Sequence, residues 1–207
     1  MSTAIAIQSP PFGPRDAGMV LTPDEFEAAE FERGPRYELI HGVLVVTPSP
    51  LEEERDSNEE LGHWLRNYQE TEDGEALDLT LPEHSLRTSA GIRRCDRAIW
   101  AGLGKCPKTR GRFARRDVPA IVVEFPSSRP ADMRRDYEEK KIEYRDLGVE
   151  EYWIIDRFRR TMTVCSWRGK RWIKRVLAED VVYESKLLPG FQLELARLFA
   201  ISNKYRD

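Results

Sequence analysis

The chain has 207 residues, of which 33% are charged and 40% are hydrophobic, and its formal net charge at pH 7 is -3. This length suffices for one well-buried domain, and no apolar run approaches the length of a membrane span. The three cysteines, Cys95, Cys106 and Cys165, are odd in number and lack CxxC spacing, which argues against a disulfide framework and against a zinc site. We therefore expect a soluble, cytoplasmic protein.

The N-terminal segment, residues 1–18, has no basic start and no Arg-rich amphipathic pattern. It therefore matches neither a signal peptide nor a transit segment. A disordered arm is the better interpretation. No linker rich in Ser, Gly or Pro divides the rest of the chain, so residues 19–207 are predicted to form a single domain.

A capping box and a tight turn predict the first elements. The run 22–25 (TPDE) is a capping box with proline at the first helical position, so a short helix should cover about residues 23–32. Segments 37–40 and 43–46 are apolar and are separated by His41-Gly42, the two-residue spacing of a tight hairpin.

A second helix is predicted between residues 51 and 69, where apolar residues recur with helical period. Its first turns are rich in glutamate, which suits the helix dipole and is typical of a solvated face. Two or three strands should then fill residues 76–100, with Gly91 at a turn. The loop 105–116 follows and is basic throughout, with Lys105, Lys108, Arg110, Arg112, Arg115 and Arg116.

Two strand-like segments each contain one carboxylate. The run 118–125 (VPAIVVEF) is almost continuously apolar and β-branched, as expected of a central strand covered on both faces, yet it carries Glu124 near its end. Asp96 lies inside a second strand-like stretch, residues 92–100. A buried carboxylate needs a partner, and two carboxylates on neighbouring strands are suitable ligands for a hard cation such as Mg²⁺ or Mn²⁺.

A helix over about residues 134–147, closed by Gly148, follows the central strand. Lys140 falls on its inward stripe, three residues after Tyr137 and four before Tyr144, so its ammonium should point toward the sheet. A simpler interpretation remains open. Asp136 and Lys140 could form an exposed i, i+4 ion pair worth only about 0.3–0.5 kcal/mol.

The last third of the chain is predicted to contain a strand at 152–155, a hairpin of 161–167 with 171–176, and a closing helix over 192–202. Basic residues cluster on the hairpin strands and just before them, with two tryptophans among them: Arg157, Arg159, Arg160, Arg168, Lys170, Arg171, Lys174 and Arg175, with Trp167 and Trp172. This ribbon could follow a nucleic-acid backbone together with the 105–116 loop, although a solvated hairpin has a similar composition.

Five segments, in this order and spacing, resemble one known family: 36–46 (RYELIHGVLVV), 95–100 (CDRAIW), 122–127 (VVEFPS), the Asp136-xxx-Lys140-xxx-Tyr144 pattern, and 148–156 (GVEEYWIID). They look like the Uma-type endonuclease family over roughly residues 22–175. The resemblance implies an α/β fold of the restriction-endonuclease-like type, in the PD-(D/E)xK superfamily. Its mixed central sheet would be flanked by helices, with an N-terminal helix and hairpin.

The resemblance also implies roles for individual residues. Asp96 and Glu124 take the aspartate and glutamate roles and would hold Mg²⁺ together with the carbonyl of Phe125. Pro126 stands where the family's lysine usually follows the glutamate, so Lys140 is implied as the lysine that has migrated to the following helix.

Two further departures from the family pattern concern neighbouring positions. Cys95 replaces the usual proline before the aspartate, which we judge neutral because that proline is structural. The histidine common at the start of the second helix is missing, and Glu54 and Arg55 stand near its place.

Supporting roles follow for Glu38, Asp136 and Tyr144. Glu38 would ligate the metal directly or through water, or else pair with Arg36. Tyr144 is a core aromatic whose hydroxyl would orient Lys140 or Asp136.

The predicted function is a Mg²⁺-dependent endonuclease acting on nucleic acid, with DNA expected and a homodimer allowed. Two alternatives stay open. A non-catalytic nucleic-acid-binding or interaction module would retain the fold, with Asp96 and Glu124 merely paired to basic residues such as Arg94, Arg97 or Lys140. A glycosidase could use the two carboxylates as its acid/base pair, but the apolar strand and the inward lysine disfavour it.

Overall fold

The computed structural model describes residues 10–109 and 117–205. The helices are α1 Pro23–Ala28, α2 Glu52–Gln69, α3 Pro130–Arg134, α4 Lys140–Leu147 and α5 Leu195–Ile201. The strands are β1 Arg36–Ile40, β2 Val43–Thr47, β3 Leu77–Thr88, β4 Gly91–Ala101, β5 Ile121–Glu124, β6 Glu151–Asp156, β7 Thr161–Arg168, β8 Arg171–Ala178, β9 Val182–Glu184 and β10 Gln192–Glu194.

Eight of these strands form one mixed sheet. Their order is β2-β1-β4-β5-β6-β7-β8, and β3 pairs with β4 beside this path. Only β5 and β6 are parallel neighbours, and both are buried along their whole length, as the apolar run of β5 predicted. The prediction of a mixed central sheet in an α/β fold is confirmed.

The sheet forks at β4. Strand β3 pairs with β4 from Gly91 to Ala101 and so occupies one edge of that strand. The other edge is shared, because β1 pairs with it only at Gly91 and Ile92 whereas β5 pairs only from Arg97 to Ile99. Among the described residues, no strand pairs with the intervening part of this edge, so side chains from β1, β4 and β5 can meet there.

Helices cover both faces of the sheet. Leu61 and Leu65 of α2 pack with α5 against Ile99, Ile121 and Val123 on one face. On the opposite face, Tyr144 of α4 packs among residues that include Ala98, Val122 and Tyr152. Each face therefore has its own apolar core, and the fork lies between the two helical layers.

The helix before Gly148 differs from a regular α-helix. It begins at Pro130, earlier than predicted, and a π-helical turn, Arg135–Glu139, separates α3 from α4. The N–H of Lys140 bonds to the carbonyl of Arg135, the spacing of five that defines a π turn. Gly148 ends α4 in the left-handed conformation, as predicted.

The closing helix and the first helix are shorter than predicted. Residues 192–194 form β10 because they alternate, with Leu193 buried between two exposed side chains. Helix α1 ends at Ala28 rather than near residue 32, since the chain turns away there to place Phe31 against Tyr37.

Part of the predicted N-terminal arm contacts the domain. The N–H of Phe12 donates to the carbonyl of Glu30, the N–H of Glu32 donates to the carbonyl of Phe12, and the Phe12 ring lies 6.0 Å from that of Phe31. Phe12 thus contacts the domain, and the disorder of the arm stays a prediction. Residues 1–9 lie outside the described residues.

The basic loop is described only in part. The N–H of Lys108 donates to Asp117, and the ammonium of Lys105 lies 3.5 Å from the same carboxylate. Arg110, Arg112, Arg115 and Arg116 lie outside the described residues. Within the described ranges, no helix combines the length and the apolarity needed to cross a bilayer.

A fully buried arginine binds α2 to the sheet. Arg97 of β4 donates to the side-chain and main-chain oxygens of Asn58 and to Thr80. Its guanidinium lies so close to α2 that a Cβ on Gly62 would be 2.4 Å from Nη2. A glycine in mid-helix normally costs stability, so its presence here reflects the space that Arg97 needs.

We expect Gly62→Ala to lower the free energy of unfolding by about 1–3 kcal/mol, the usual cost of overpacking a core. A Gly to Ala change at an open helical position would instead stabilise by about 1 kcal/mol. Urea denaturation followed by circular dichroism measures the difference, with Arg55→Ala on the exposed side of the same helix as the control. A stabilised Gly62→Ala protein would contradict the packing described here.

Candidate active site

Three carboxylates from three different strands lie at the fork. Glu38 comes from β1, Asp96 from β4 and Glu124 from β5, and all three are buried. The antiparallel ladder pairs Arg97 with Val123, so its next step places Asp96 beside Glu124. The sequence analysis expected Asp96, inside one strand, and Glu124, near the end of another, to lie on neighbouring strands.

The backbone of β4 is irregular at Asp96. Arg93 bonds to Glu143 of α4 on one face of the sheet, whereas Arg97 bonds to Asn58 of α2 on the other. In a regular strand, residues four apart share a face, so the alternation is interrupted between them. Opposite the irregularity, Glu83 of β3 has a positive φ of 48°. The interruption lets the Asp96 side chain reach the fork.

Both oxygens of Asp96 accept hydrogen bonds. Oδ2 accepts the N–H of Phe125 at 2.6 Å, and Oδ1 accepts Nη2 of Arg36 at 2.6 Å. The main-chain carbonyl of Asp96 accepts Nδ2 of Asn58 at 2.8 Å. Groups on β1, on α2 and directly after β5 therefore hold Asp96 in place.

Lys140 lies inside the carboxylate cluster with only 3% of its side chain exposed. Its Nζ is 2.9 Å from Oε1 of Glu124, 3.2 Å from Oδ1 of Asp136 and 4.0 Å from Oε1 of Glu38. The hydroxyl of Tyr144 donates to the same Oε1 of Glu124 at 2.9 Å. The contact between Asp136 and Lys140 is therefore part of a buried network, and the interpretation of an exposed ion pair is wrong.

The cluster carries more negative charge than Lys140 alone can balance. Burial raises the pKa of Glu124, Lys140 lowers it, and Asp96 and Asp136 raise it further, to about 8. Burial likewise raises the pKa of Asp136. Burial disfavours the charged form of Lys140, but Asp136, Glu124 and Glu38 outweigh this and raise the pKa of its ammonium.

Glu38 does not pair with Arg36, one of the two interpretations that the sequence left open. Its Oε1 accepts the N–H of Arg94 at 2.8 Å, and its Oε2 lies 3.9 Å from Nη1 of Arg93. Arg36 contacts Asp96 and Glu83 instead. The Glu38 carboxylate therefore accepts a backbone N–H of β4 at the point where no described strand pairs with it. It also lies beside Lys140.

The chemistry of the donor atoms suits a hard divalent cation. The acidic donors at the fork are carboxylate oxygens, which hard cations prefer as ligands. As arranged, however, no three Asp, Glu, His or Cys side chains within residues 10–109 and 117–205 surround a point where a metal ion would sit. An ion shared by Asp96 and Glu124 would require Arg36 to leave Oδ1 of Asp96, whereas Lys140 and Tyr144 both contact only Oε1 of Glu124.

Sequence reasoning missed three residues near the site. Arg36 was considered only as an alternative partner of Glu38, and Glu54 was counted with the solvated glutamates of α2. The pKa of Glu54 is raised, mainly by burial. Arg157 acts in the opposite direction, and the negative charge of Asp96 adds to the increase. The one sequence signal for Glu54 was its position near the place of the family's missing histidine. Asn58 was detectable, because it lies three residues before Leu61 on the apolar stripe of α2.

Two connected clefts open onto the site. A small cleft of about 140 Å³ is lined by Asp96, Glu124, Lys140 and their neighbours. A larger groove of about 830 Å³ lies next to it, and Arg36, Glu54 and Asp96 line both. The groove runs between the start of α2 and the bend of β3, and its wall includes the exposed Arg33 and Arg55.

The basic ribbon at β7 and β8 is mostly engaged within the chain. Ion pairs join Arg157 to Glu53 and Glu54, Arg159 to Asp156 and Arg160 to Glu179, while Lys174 lies over Tyr137 and Arg175 over Tyr183. Across the ranges that the structure covers, Arg168, Lys170 and Arg171 at the hairpin tip make no ion pair. Trp167 and Trp172 contact each other edge to face. A role for the ribbon in nucleic-acid contact stays a prediction.

Comparison with known proteins gives a family and a fold. A model of the Uma2 family, described as "putative restriction endonuclease", matches residues 23–196. The crystal structure of a "putative nuclease belonging to DUF820" from Anabaena variabilis is similar, with a TM-score of 0.66 and 15% sequence identity. The match covers 88% of this chain and 99% of the Anabaena chain. Among curated proteins, none matches the chain.

The raised pKa of Glu124 predicts how stability depends on pH. Between the ordinary glutamate pKa of 4.5 and about 8, the folded protein keeps a proton that the unfolded chain has lost. The melting temperature of the metal-free protein should therefore fall as pH rises from about 5 to about 8. Glu124→Gln should flatten this slope, because glutamine cannot ionise.

The control is Glu138→Gln, which changes a glutamate of the π-helical turn whose side chain is 71% exposed. It should keep the wild-type slope. Scanning calorimetry at several pH values gives the three slopes. If the Glu124→Gln slope equals that of the wild type, Glu124 is already ionised in the folded protein and the electrostatic account is wrong.

Proposed function

The chain belongs to the Uma2 family, and on that basis we propose that it is a metal-dependent nuclease that hydrolyses phosphodiester bonds of nucleic acid, with DNA as the expected substrate. The observation that carries this proposal is the buried network in which Lys140 contacts Glu124 beside Asp96. Burying several carboxylates with one lysine is costly for stability, and such arrangements are typical of functional sites.

The reaction has two electrostatic obstacles. The phosphodiester is an anion and repels a hydroxide nucleophile, and water is a weak nucleophile near pH 7. In hydrolysis the water oxygen attacks phosphorus, the bond from phosphorus to the leaving sugar oxygen breaks, and that oxygen takes up a proton. The site must neutralise the phosphate and favour loss of a proton from water.

Asp96 and Glu124 would hold Mg²⁺ or Mn²⁺, with the carbonyl of Phe125 as a further oxygen donor. When bound, the ion would neutralise phosphate charge and lower the pKa of water. Glu38, the third buried carboxylate at the fork, would ligate the ion directly or through water. These assignments are what the resemblance to the family implies, and the carboxylate donors at the fork support them.

Lys140 would act as a fixed positive charge and a hydrogen-bond donor. The surrounding carboxylates keep its ammonium protonated, so it is unsuited to accept a proton from water. It can hold the attacking water in line or stabilise the negative charge that develops on the phosphate oxygens. Asp136 and Tyr144 position it, since one contacts its Nζ and the other bonds to its partner Glu124.

The groove beside the site is the proposed path for one strand of the substrate. It leads directly to Asp96, and in the described part of the chain Arg33 and Arg55 on its wall make no ion pair. Free guanidinium groups at a groove are suited to phosphate contacts, which position a nucleic acid without reading its sequence.

The central experiment is a cleavage assay with Mg²⁺ or Mn²⁺ on plasmid, linear duplex, single-stranded DNA and RNA. We expect metal-dependent cleavage by the wild type and none by Asp96→Ala. Calorimetric titration of the same proteins with Mn²⁺ gives a second measurement. No cleavage and no saturable metal binding by the wild type would contradict the proposal and favour a non-catalytic module.

Two adjacent lysines provide a sharper test of mechanism. Lys140→Ala should lower turnover by about 10²-fold or more, because it removes a buried charge at the reacting groups, while metal binding persists. Lys141→Ala, which removes a partly exposed ammonium from the same helix, should change little. Lys140→Arg should not restore turnover, since a planar guanidinium cannot replace a compact ammonium.

Turnover numbers from saturating-substrate kinetics decide between these outcomes. Equal turnover in the Lys140→Ala and Lys141→Ala proteins would refute the role of Lys140 and leave the carboxylates as the only contributors.

A further inference from the structure

Arg36 has a position that neither the sequence nor the family description explains. It is the first residue of β1, and its side chain lies where the small cleft meets the larger groove. Its Nη2 donates to Oδ1 of Asp96 at 2.6 Å and to Oε1 of Glu83 at 2.8 Å. The side chain remains 19% exposed, so the guanidinium is accessible from the groove.

The guanidinium uses only part of its hydrogen-bonding capacity. A single nitrogen, Nη2, makes both contacts with carboxylates, whereas the buried Nε–H has no acceptor among the described residues. An arginine usually binds a carboxylate with two parallel N–H groups. Arg36 therefore contacts Asp96 through Nη2 alone, and its other N–H groups stay available. They lie in one plane, which matches the geometry of two phosphate oxygens.

Arg36 and a metal ion would compete for the same oxygen. Oδ2 of Asp96 is engaged by the N–H of Phe125, which leaves Oδ1, the atom that Arg36 occupies. A cation bound by Asp96 would also cancel the negative charge that attracts the guanidinium. Metal binding and the contact between Arg36 and Asp96 therefore oppose each other.

A second anchor would keep Arg36 at the site after it leaves Asp96. Glu83 accepts Nη2 of Arg36 through Oε1 and Nη2 of Arg94 through Oε2, so it stays in place while holding both arginines. A rotation of the Arg36 side chain about this contact would turn its remaining N–H groups toward the groove. No backbone movement of β1 is needed.

We propose that Arg36 is a further catalytic residue, which occupies Asp96 in the metal-free protein and donates to the phosphate of the substrate once a metal ion takes its place. This inference rests on the proposed function of the same site. It assigns to one side chain both the protection of Asp96 before metal binding and the neutralisation of phosphate charge during the reaction.

The test compares Arg36→Gln and Arg36→Lys with the wild type, using calorimetric titration with Mn²⁺ in the absence of nucleic acid. Arg36→Gln should bind the ion about tenfold more tightly, because the competing charge is gone. It should also lose about 10²-fold in turnover, because the donor to phosphate is gone. Arg36→Lys should keep metal affinity near that of the wild type and still lose turnover, since it retains the charge but not the planar fork.

The matched control is Arg87→Gln, which removes an exposed arginine of β3 that forms an ion pair with Asp24 and not with Asp96 or Glu83. Its Mn²⁺ affinity should equal that of the wild type. Melting temperatures of all variants show whether each is folded, and Arg36→Lys carries the test if Arg36→Gln is not.

Unchanged or weaker Mn²⁺ binding in a folded Arg36→Gln protein would overturn the inference and leave the proposed nuclease function intact. For an unfolded Arg36→Gln protein, wild-type turnover in Arg36→Lys would overturn it. Absence of saturable Mn²⁺ binding in the wild type would instead refute the proposed function, and the inference with it.

Discussion

The burial of several like charges at one point is the constraint on which this molecule depends. Carboxylates from β1, β4, β5 and the helix after β5 meet where the sheet forks, and water is largely excluded from them. Such groups are stable in a protein interior only when cations or protons compensate them. Lys140 on one side and Arg36 on the other provide much of this compensation.

The surrounding architecture serves to hold this cluster together. The partnerless stretch on one edge of β4 creates the space, and the N–H of Arg94, which would otherwise bond to a neighbouring strand, donates to Glu38. On the far side, Arg97 and Asn58 link the backbone of Asp96 to α2. Loss of these links would move Asp96 as well as weaken the core, so stability and chemistry are coupled through the same few side chains.

The same compensation has two functional meanings. In a nuclease, the cations that balance the carboxylates before metal binding would afterwards be available to the phosphate of the substrate. They would then stabilise the negative charge that develops during the reaction. In a non-catalytic module they would only neutralise the site. The observation that favours the first interpretation is that Arg36 and Lys140 both face the cleft with specific partners rather than filling a closed core.

Local chemistry along the chain was enough to predict most elements and the central pair of carboxylates. The apolar run around Ile121 marked a strand buried on both faces, and a carboxylate within it, Glu124, was informative because it is so unfavourable there. Lys140 lies at helical spacing between Tyr137 and Tyr144, so it falls on the inward face of the helix. That position predicted its burial. Periodicity and capping are properties of neighbouring residues, so a sequence reports them directly.

The tertiary structure alone decided which charges pair. The sequence could not show that β1 and β5 share one edge of β4. It therefore offered the nearby Glu38 as one alternative partner for Arg36, and not Asp96, sixty positions away. It also could not show that Glu54 is partly buried beside Asp96, or that Phe12 packs on Phe31. Ion pairs depend on distances across strands and helices, and these distances are set by topology rather than by any local pattern of residues.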